Sequence, residues 1–397
     1  MVKVALTGGD AVALAMKQIN PDVVAAYPIS PQTVIMEKFS EYVANGDVDT
    51  ELITVESEHS ALSACVGASI AGARVMTATA SQGFALMWEI LYIVAALRLP
   101  IVMPVVTRAL SAPINIHCDH SDIMGARDSG WIILFSKNVQ EAYDNTIQAI
   151  RIAEHSDALL PVMVGLDGFI TSHAMETLEI LDDSTVKSFI GERRVPKVSL
   201  LFTEDPITVG PLALPDSYFE FKRQQVEAMK NAIKVIEDVG KEYAKLSGRE
   251  YGFFDPYKID DADYVLISAG STAESIMETV DELRAEGKKV GSIGIRVFRP
   301  FHVELIRELL AGKKAVAVLD RSISFGAYGS GAGPIYLEVK AAMYESEERP
   351  KIITNYIYGL GGRDITPEHV KHVVAELERF VSEGKAPDVA GYLGLRE

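Results

Sequence analysis

Cysteine is scarce: Cys65 and Cys118 are the only two among 397 residues, and no CxxC pair occurs. Two thiols cannot supply the four thiolates that an iron–sulfur cluster normally uses. With no HExxH and no Cys/His set at zinc spacing either, no metal site is expected within the chain. Positive charge is also in deficit, with 38 Lys and Arg against 55 Asp and Glu and a formal net charge of −17. Without a basic run, that field repels phosphate backbones and excludes nucleic acid as an expected partner. Long hydrophobic runs are missing too. The most apolar stretch, residues 90–106, is broken by Arg98, Pro100 and Pro104, too short and too interrupted to span a bilayer. The first residues lack the charged start, apolar stretch and cleavage site of a secretory signal, so the expected location is the cytoplasm, without membrane contact.

What is present is a large apolar fraction, 48% of the residues, enough to bury the cores of two or three domains. β-rich runs at 3–6, 23–26, 52–55, 74–79, 101–106 and 162–166 alternate with helical stretches, which predicts a parallel sheet with helices on both faces over residues 1–200. Pro- and Gly-punctuated text then leads into a charged amphipathic run at 218–245. Residues 201–259 are read as a linker and an arm helix, lying against a neighbouring surface or simply solvated. A second alternating unit occupies 260–397, with YVLISAG, VGSIGIRVF, AVAVLD and IITNYIYG as its strands.

The polar residues gather where the first unit's strands end. TGGDAVALA at 7–15 predicts a tight turn with Asp10 as N-cap, or a helix start that receives an anion. Tyr27-Pro28-Ile29-Ser30-Pro31 is stiffened by two prolines that hold Ser30 in one place, at the carboxyl end of a strand where open α/β sheets place ligands; Ser30 as a simple helix cap is the alternative. Glu56-Ser57-Glu58 precedes an almost wholly small, apolar helix, and its carboxylate either serves the helix N-terminus or bonds a ligand. In Thr79-Ala80-Ser81-Gln82-Gly83 the glycine is expected to serve the turn. Arg108 is the one cation of a long apolar neighbourhood, a planar fork suited to a carboxylate. It is open to an internal salt bridge with Asp119 or Asp122 instead. Asn115, His117, Asp119, His120 and Asp122 read as a hydrogen-bonded loop bordering the site rather than as metal ligands.

Taken together, YPISP at 27–31, Ser57-Glu58 before a small-residue helix, TASQG at 79–83, Arg108, GLDGFITSH at 165–173 and GLGGRD at 359–364 resemble the pyruvate:ferredoxin oxidoreductase family along nearly the whole chain. The resemblance implies an α/β fold: a pyrimidine-type thiamine-diphosphate-binding domain built on a doubly wound parallel sheet, then a smaller α/β domain like the C-terminal domain of transketolases. It implies an alpha subunit. Thiamine diphosphate would be shared with a beta subunit that holds the diphosphate and Mg²⁺, while [4Fe-4S] clusters would sit in partner chains, a ferredoxin-like delta subunit among them beside a gamma subunit. Ferredoxin would accept the electrons and coenzyme A the acyl group, in the oxidative decarboxylation of pyruvate to acetyl-CoA and CO₂.

Residue by residue, Glu58 matches the glutamate that hydrogen-bonds the aminopyrimidine ring and relays a proton, the S-E-x-x-A register favouring it over Glu56. Arg108 matches the arginine that holds the 2-oxoacid carboxylate. Ser30 matches a substrate-contacting hydroxyl that is often Thr, keeping the hydroxyl and losing a methyl. Pro28 and Ile29 fall among the cofactor contacts. Two alternatives stand beside this reading: the same chemistry on 2-oxoisovalerate, an aryl pyruvate, 2-oxoglutarate or oxalate, and a non-catalytic assembly subunit. Gly326, Gly329, Ser330, Gly331 and Gly333 suggest close backbone approach, read as packing and subunit contact. The end of the chain at Glu397 is read as favouring separate partner chains.

Overall fold

A computed structural model describes residues 2–193, 200–329 and 331–396; Ser330 lies outside the described residues. The chain builds two mostly parallel sheets. The first has seven strands in the order Val297–Arg299, Ile132–Ser136, Val162–Asp167, Val102–Thr107, Val75–Met76, Val23–Ala26 and Glu51–Thr54. Its central strands are buried at every position, as the continuous apolar runs of a parallel sheet covered on its faces require. Pro104 stands inside one of them. It has no N–H to give the neighbouring Thr77 carbonyl, and there the pairing lapses, between Met76↔Val102 and the single bridge Thr79↔Val105.

The second sheet has six strands, Val389–Leu393, Ile352–Tyr358, Ala315–Asp320, Tyr264–Ala269, Val290–Ile295 and Phe254–Tyr257, the last antiparallel. Phe254–Tyr257 falls within the stretch read as linker, so that stretch also furnishes a sheet edge.

Three local expectations change. Val2–Thr7 is not in the parallel sheet; it pairs antiparallel with Met175–Ile180 as a two-stranded ribbon. Its alternation is that of a strand with one wet face: Val4 and Leu6 pack on the core while Lys3 pairs with Glu179 across the ribbon. The run VGSIGIRVF is two strands. Val290–Ile295 stays in the second sheet, and Val297–Arg299 crosses to pair antiparallel with Ile132–Ser136 of the first. At the joint, buried Arg296 donates to Asn145 Oδ1 (2.8 Å), Gly252 O (3.0 Å) and Gln148 Oε1 (3.1 Å). The glycines at 326 and 329 face open space at positive φ, whereas a Cβ at Gly331 would stand 3.0 Å from Ile323 Cγ2 and Gly333 lies tight against the Asp320 carboxylate.

The arm helix is Tyr218–Ser247. Ala228, Ala232, Val235, Ile236, Val239 and Tyr243 form its buried stripe, packed on the helix Val139–Ala153 of the same chain. Asp144 of that helix is fully buried and receives Arg249 (2.7 and 2.9 Å) together with the hydroxyls of Tyr243 and Tyr251. The surface that this helix lies against is therefore the chain's own. Its first turns still leave Tyr218, Phe219 and Phe221 exposed. Among the described residues no helix is long and apolar enough to cross a membrane.

Candidate functional site

Strand order places the site. From Val23–Ala26 the chain moves outward to Glu51–Thr54, then returns to the other side of Val23–Ala26 for Val75–Met76 and Val102–Thr107. That reversal opens a crevice at the carboxyl ends of the strands, where doubly wound sheets bind ligands. Ser30, Glu58, Ser81 and Arg108 each lie a few residues beyond one of these four strand ends.

Glu58 begins the helix Glu58–Ile70, but it is not the cap. Ser57 accepts the Ser60 N–H (3.2 Å) and is the N-cap, and exposed Glu56 accepts the Ser60 hydroxyl. The Glu58 side chain is 7% exposed and has no hydrogen-bond or ion-pair partner among the described residues. A carboxylate left without a protein partner can accept a hydrogen bond from a ligand's donor. Gly83 keeps the space in front of it open: a Cβ there would stand 2.8 Å from Glu58 Cδ. Gly83 therefore gives clearance within the short helix Ser81–Leu86 rather than a turn, and Ser81 takes the left-handed conformation (φ 46°).

Arg108 is also nearly buried, at 7% exposure. Its Nε donates to Asn115 O (3.0 Å) and one Nη1 hydrogen to Ser30 O (2.8 Å), which joins the YPISP loop to the loop after Val102–Thr107. Neither Asp119 nor Asp122 forms a salt bridge with it. Asp122 accepts its main-chain N–H (3.0 Å), and Asp119 turns to Ser121 and to the Gly361 N–H (3.1 Å). Nη2 has no hydrogen-bond partner among the described residues. Ser30 and Pro28 are exposed and Ile29 is half-buried, its carbonyl closing the turn onto Gln32 N (2.7 Å). The loop touches the LDGF segment as well, because Gly168 leaves room for Pro31: a Cβ there would lie 2.8 Å from Pro31 Cγ.

The cap at the first helix also sits earlier than expected. Thr7 caps, accepting the Asp10 N–H (3.2 Å), and Asp10 stands in the first turn, bonded to the Thr7 hydroxyl (2.7 Å).

The polar loop after Arg108 is a bracket between the two units. Asn115 Nδ2 reaches Gly361 O (3.0 Å), His117 packs against Gly362, and His120 Nε2 bonds Asp167 Oδ1 (2.8 Å). Asp167 Oδ2 takes Ser271 N (3.0 Å), Ser271 Oγ (2.6 Å) and Arg321 Nη1 (3.1 Å). Burial alone would raise this carboxyl; the His120 and Arg321 charges and the Ser271 hydrogen bond outweigh it and hold the group well below the usual carboxylate range. Cys118, His120 and Asp167 are close enough together to suggest a metal site. The Arg321 guanidinium already stands against Asp167 and supplies the positive charge there.

Sequence reasoning placed Glu58, Arg108 and Ser30 in strand-end loops and Asp122 in the loop bordering the site, as an alternative salt-bridge partner of Arg108 rather than an acceptor of main-chain N–H groups, and it missed Arg321 and Ser271. Asp122 had a signal, since it lies among five polar residues in an apolar stretch. Ser271 and Arg321 had none, because their contacts join positions more than a hundred residues from Asp167.

Residues 14–241 match the family model described as pyruvate flavodoxin/ferredoxin oxidoreductase, thiamine diphosphate-binding, and residues 262–370 match that of pyruvate:ferredoxin oxidoreductase core domain II. The pyruvate synthase subunit PorA of Thermotoga maritima is 58% identical over 395 residues, covering 100% of this chain and 98% of that protein. The ketoisovalerate oxidoreductase subunit VorA of Pyrococcus abyssi is 43% identical over 385 residues, with 97% and 95% covered. Among solved structures, the 2-oxoglutarate:ferredoxin oxidoreductase of Magnetococcus marinus aligns with TM-score 0.72 at 22% identity, covering 94% of this chain. This chain spans 65% of that longer one, and the likeness is one of fold.

Proposed function

Because the chain belongs to the pyruvate flavodoxin/ferredoxin oxidoreductase family, we propose that it is the alpha subunit of a pyruvate:ferredoxin oxidoreductase, a thiamine-diphosphate enzyme that makes acetyl-CoA and CO₂ from pyruvate and coenzyme A. One observation carries the residue assignment: Glu58 and Arg108 are each nearly buried beyond the carboxyl end of a strand of the same sheet, and neither forms an ion pair among the described residues.

The Glu58 carboxylate, unpaired over the clearance that Gly83 provides, fits a protonated or N–H-bearing ring nitrogen of an aminopyrimidine. Glu58, with Pro28 and Ile29 of the adjoining loop, would hold that ring. Thiamine diphosphate supplies, when bound, the carbanion chemistry that decarboxylation of a 2-oxoacid requires. Glu58 holds and shares a proton at its carboxylate oxygen and thereby biases the ring's protonation. Arg108 binds the substrate carboxylate through the guanidinium hydrogens that Asn115 and Ser30 leave free, and fixes the oxoacid's direction in the crevice. The Ser30 hydroxyl, which bonds nothing in the described chain, is offered to the substrate. The walls exclude water through the apolar packing of Ile29 and the helix Glu58–Ile70.

The diphosphate and Mg²⁺ belong to a beta subunit and the [4Fe-4S] clusters to partner chains, with delta and gamma subunits in the assembly and ferredoxin as acceptor. The two thiols support this division, both buried, with Cys65 pushed up to about 12 by burial. The cytoplasm is the compartment that suits such a complex.

A second substrate reading rests on the VorA relative, whose identity of 43% is close to the 44–48% of further PorA relatives. The test is to purify the chain with whatever accompanies it and to assay coenzyme-A-dependent viologen reduction with pyruvate and with 2-oxoisovalerate, with and without added thiamine diphosphate. Turnover with pyruvate well above the bulkier acid supports the assignment. Preference for 2-oxoisovalerate overturns the substrate, and an inactive assembly in the presence of every cofactor overturns the catalytic role.

A further inference from the structure

One carboxylate outside the assigned set lies directly behind Arg108. Asp122 is 1% exposed, in the five-residue helix Ser121–Gly125 that closes the bracket loop. Its Oδ2 accepts two main-chain N–H groups from different loops, Ser81 (2.9 Å) and Arg108 (3.0 Å), and its Oδ1 accepts Ile123 N–H (2.7 Å). No Lys, Arg or His forms an ion pair with it among the described residues. We propose that Asp122 is the positioning residue that sets the Arg108 guanidinium for the 2-oxoacid carboxylate, by clasping the main chains of Arg108 and Ser81 on one carboxylate oxygen. The inference rests on the assignment of Arg108 above.

Three features of the arrangement support the role. First, a buried carboxylate without a cation is a costly way to fill space, and burial pushes Asp122 up to about 7 even with three N–H donors on it. An apolar residue would suit a packing role better, whereas two N–H groups converging on one point require an acceptor there. Second, the clasped residues matter to both halves of the site. Ser81 is the left-handed residue at the head of the helix that presents Gly83 to Glu58, and Arg108 is the residue whose side chain ties down Ser30. Third, the Ser81 hydroxyl donates to Ala109 O (2.6 Å), so the two loops are joined on both sides of the clasp. A side chain as long as arginine's magnifies small main-chain shifts, and about 1 Å of misplacement costs on the order of 10²-fold in rate.

Asparagine at 122 has a single acceptor oxygen, so it must leave either the Ile123 N–H or the clasped pair facing an amide nitrogen; alanine leaves all three donors without a partner. In the assembled holoenzyme, Asp122→Asn is expected to raise KM for pyruvate about fivefold with a smaller change in kcat, and Asp122→Ala to raise it more, roughly tenfold or beyond. Each is combined with Arg108→Ala in a double-mutant cycle. If Asp122 acts through Arg108, the double variant's kcat/KM stays close to that of Arg108→Ala alone. Penalties that multiply, or an unchanged KM in Asp122→Asn, overturn the inference while leaving Arg108 in place. An Arg108→Ala variant with wild-type KM overturns the Arg108 assignment and this inference with it. Should the alanine complex not assemble, the asparagine cycle decides alone.

Discussion

Asp167, at the end of a strand of the first sheet, lies 3.1 Å from the guanidinium of Arg321, just past a strand of the second, and both side chains are almost wholly buried. With His120 and Ser271 on the same carboxylate, this is the polar centre of the contact between the two units. Removing it leaves a buried cation without its partner. Asp167→Ala is therefore expected to destabilise the chain by about 3–5 kcal/mol, read from denaturant midpoints. Its folded carboxyl titrates below the ordinary 3.8, so this contribution is complete above that value and is lost only as pH falls beneath it. A variant with an unchanged midpoint at neutral pH would show the pair to be dispensable.

Gly83→Ala tests the clearance in front of Glu58. The added methyl overlaps the end of a side chain rather than main chain, so Glu58 turns aside and the fold survives. Activity should fall at least tenfold while the melting temperature moves little. Wild-type turnover in this variant would contradict the placement of the Glu58 carboxylate.

Glu58→Gln removes the charge and keeps the shape. Loss of a proton-sharing group of this kind is expected to lower turnover by about 10²-fold or more, with the complex still assembling. Equal turnover with the glutamine would instead favour the assembly-subunit reading.

Asp320 gives a pH signature in the second unit. It caps the helix Pro334–Met343 by accepting Ile335 N–H (2.8 Å) and Tyr336 N–H (3.1 Å), and it accepts from Asn355 (2.9 Å). Burial nevertheless pushes it up to about 7 from 3.8. A carboxyl raised on folding contributes fully below its unfolded value, and that contribution is lost as pH rises through the folded one. Stability should decline between pH 3.8 and about 7, and Asp320→Asn should flatten that slope, leaving the part due to Asp122, which is shifted in the same direction. An identical slope in the variant would remove Asp320 as its source.

Much of the first sheet was legible because parallel strands buried on both faces leave uninterrupted apolar runs, as at Val102–Thr107 and Val162–Asp167. The strand Ile132–Ser136 has the same character and went unread beside its polar neighbours. Val297–Arg299 was read in the wrong sheet, since nothing in three residues tells which of two sheets they will join. The cap of the first helix was misread by three positions, at Asp10 instead of Thr7, since a hydroxyl and a carboxylate compete for the same N–H groups with similar local patterns.

The sequence by itself determined the α/β alternation, the strand-end positions of Ser30, Glu58, Ser81 and Arg108, and the want of cluster thiols, because all of these are written in periodicity and composition. Tertiary structure alone decided that the Arg108 guanidinium makes no salt bridge with Asp119 or Asp122, that Gly83 makes room rather than a turn, and that Asp122, Asp167 and Arg321 bond across loops and units. Each of those depends on which distant main-chain donors and charges converge on one buried oxygen, and a hydrogen bond between residues 154 positions apart leaves no local mark on either.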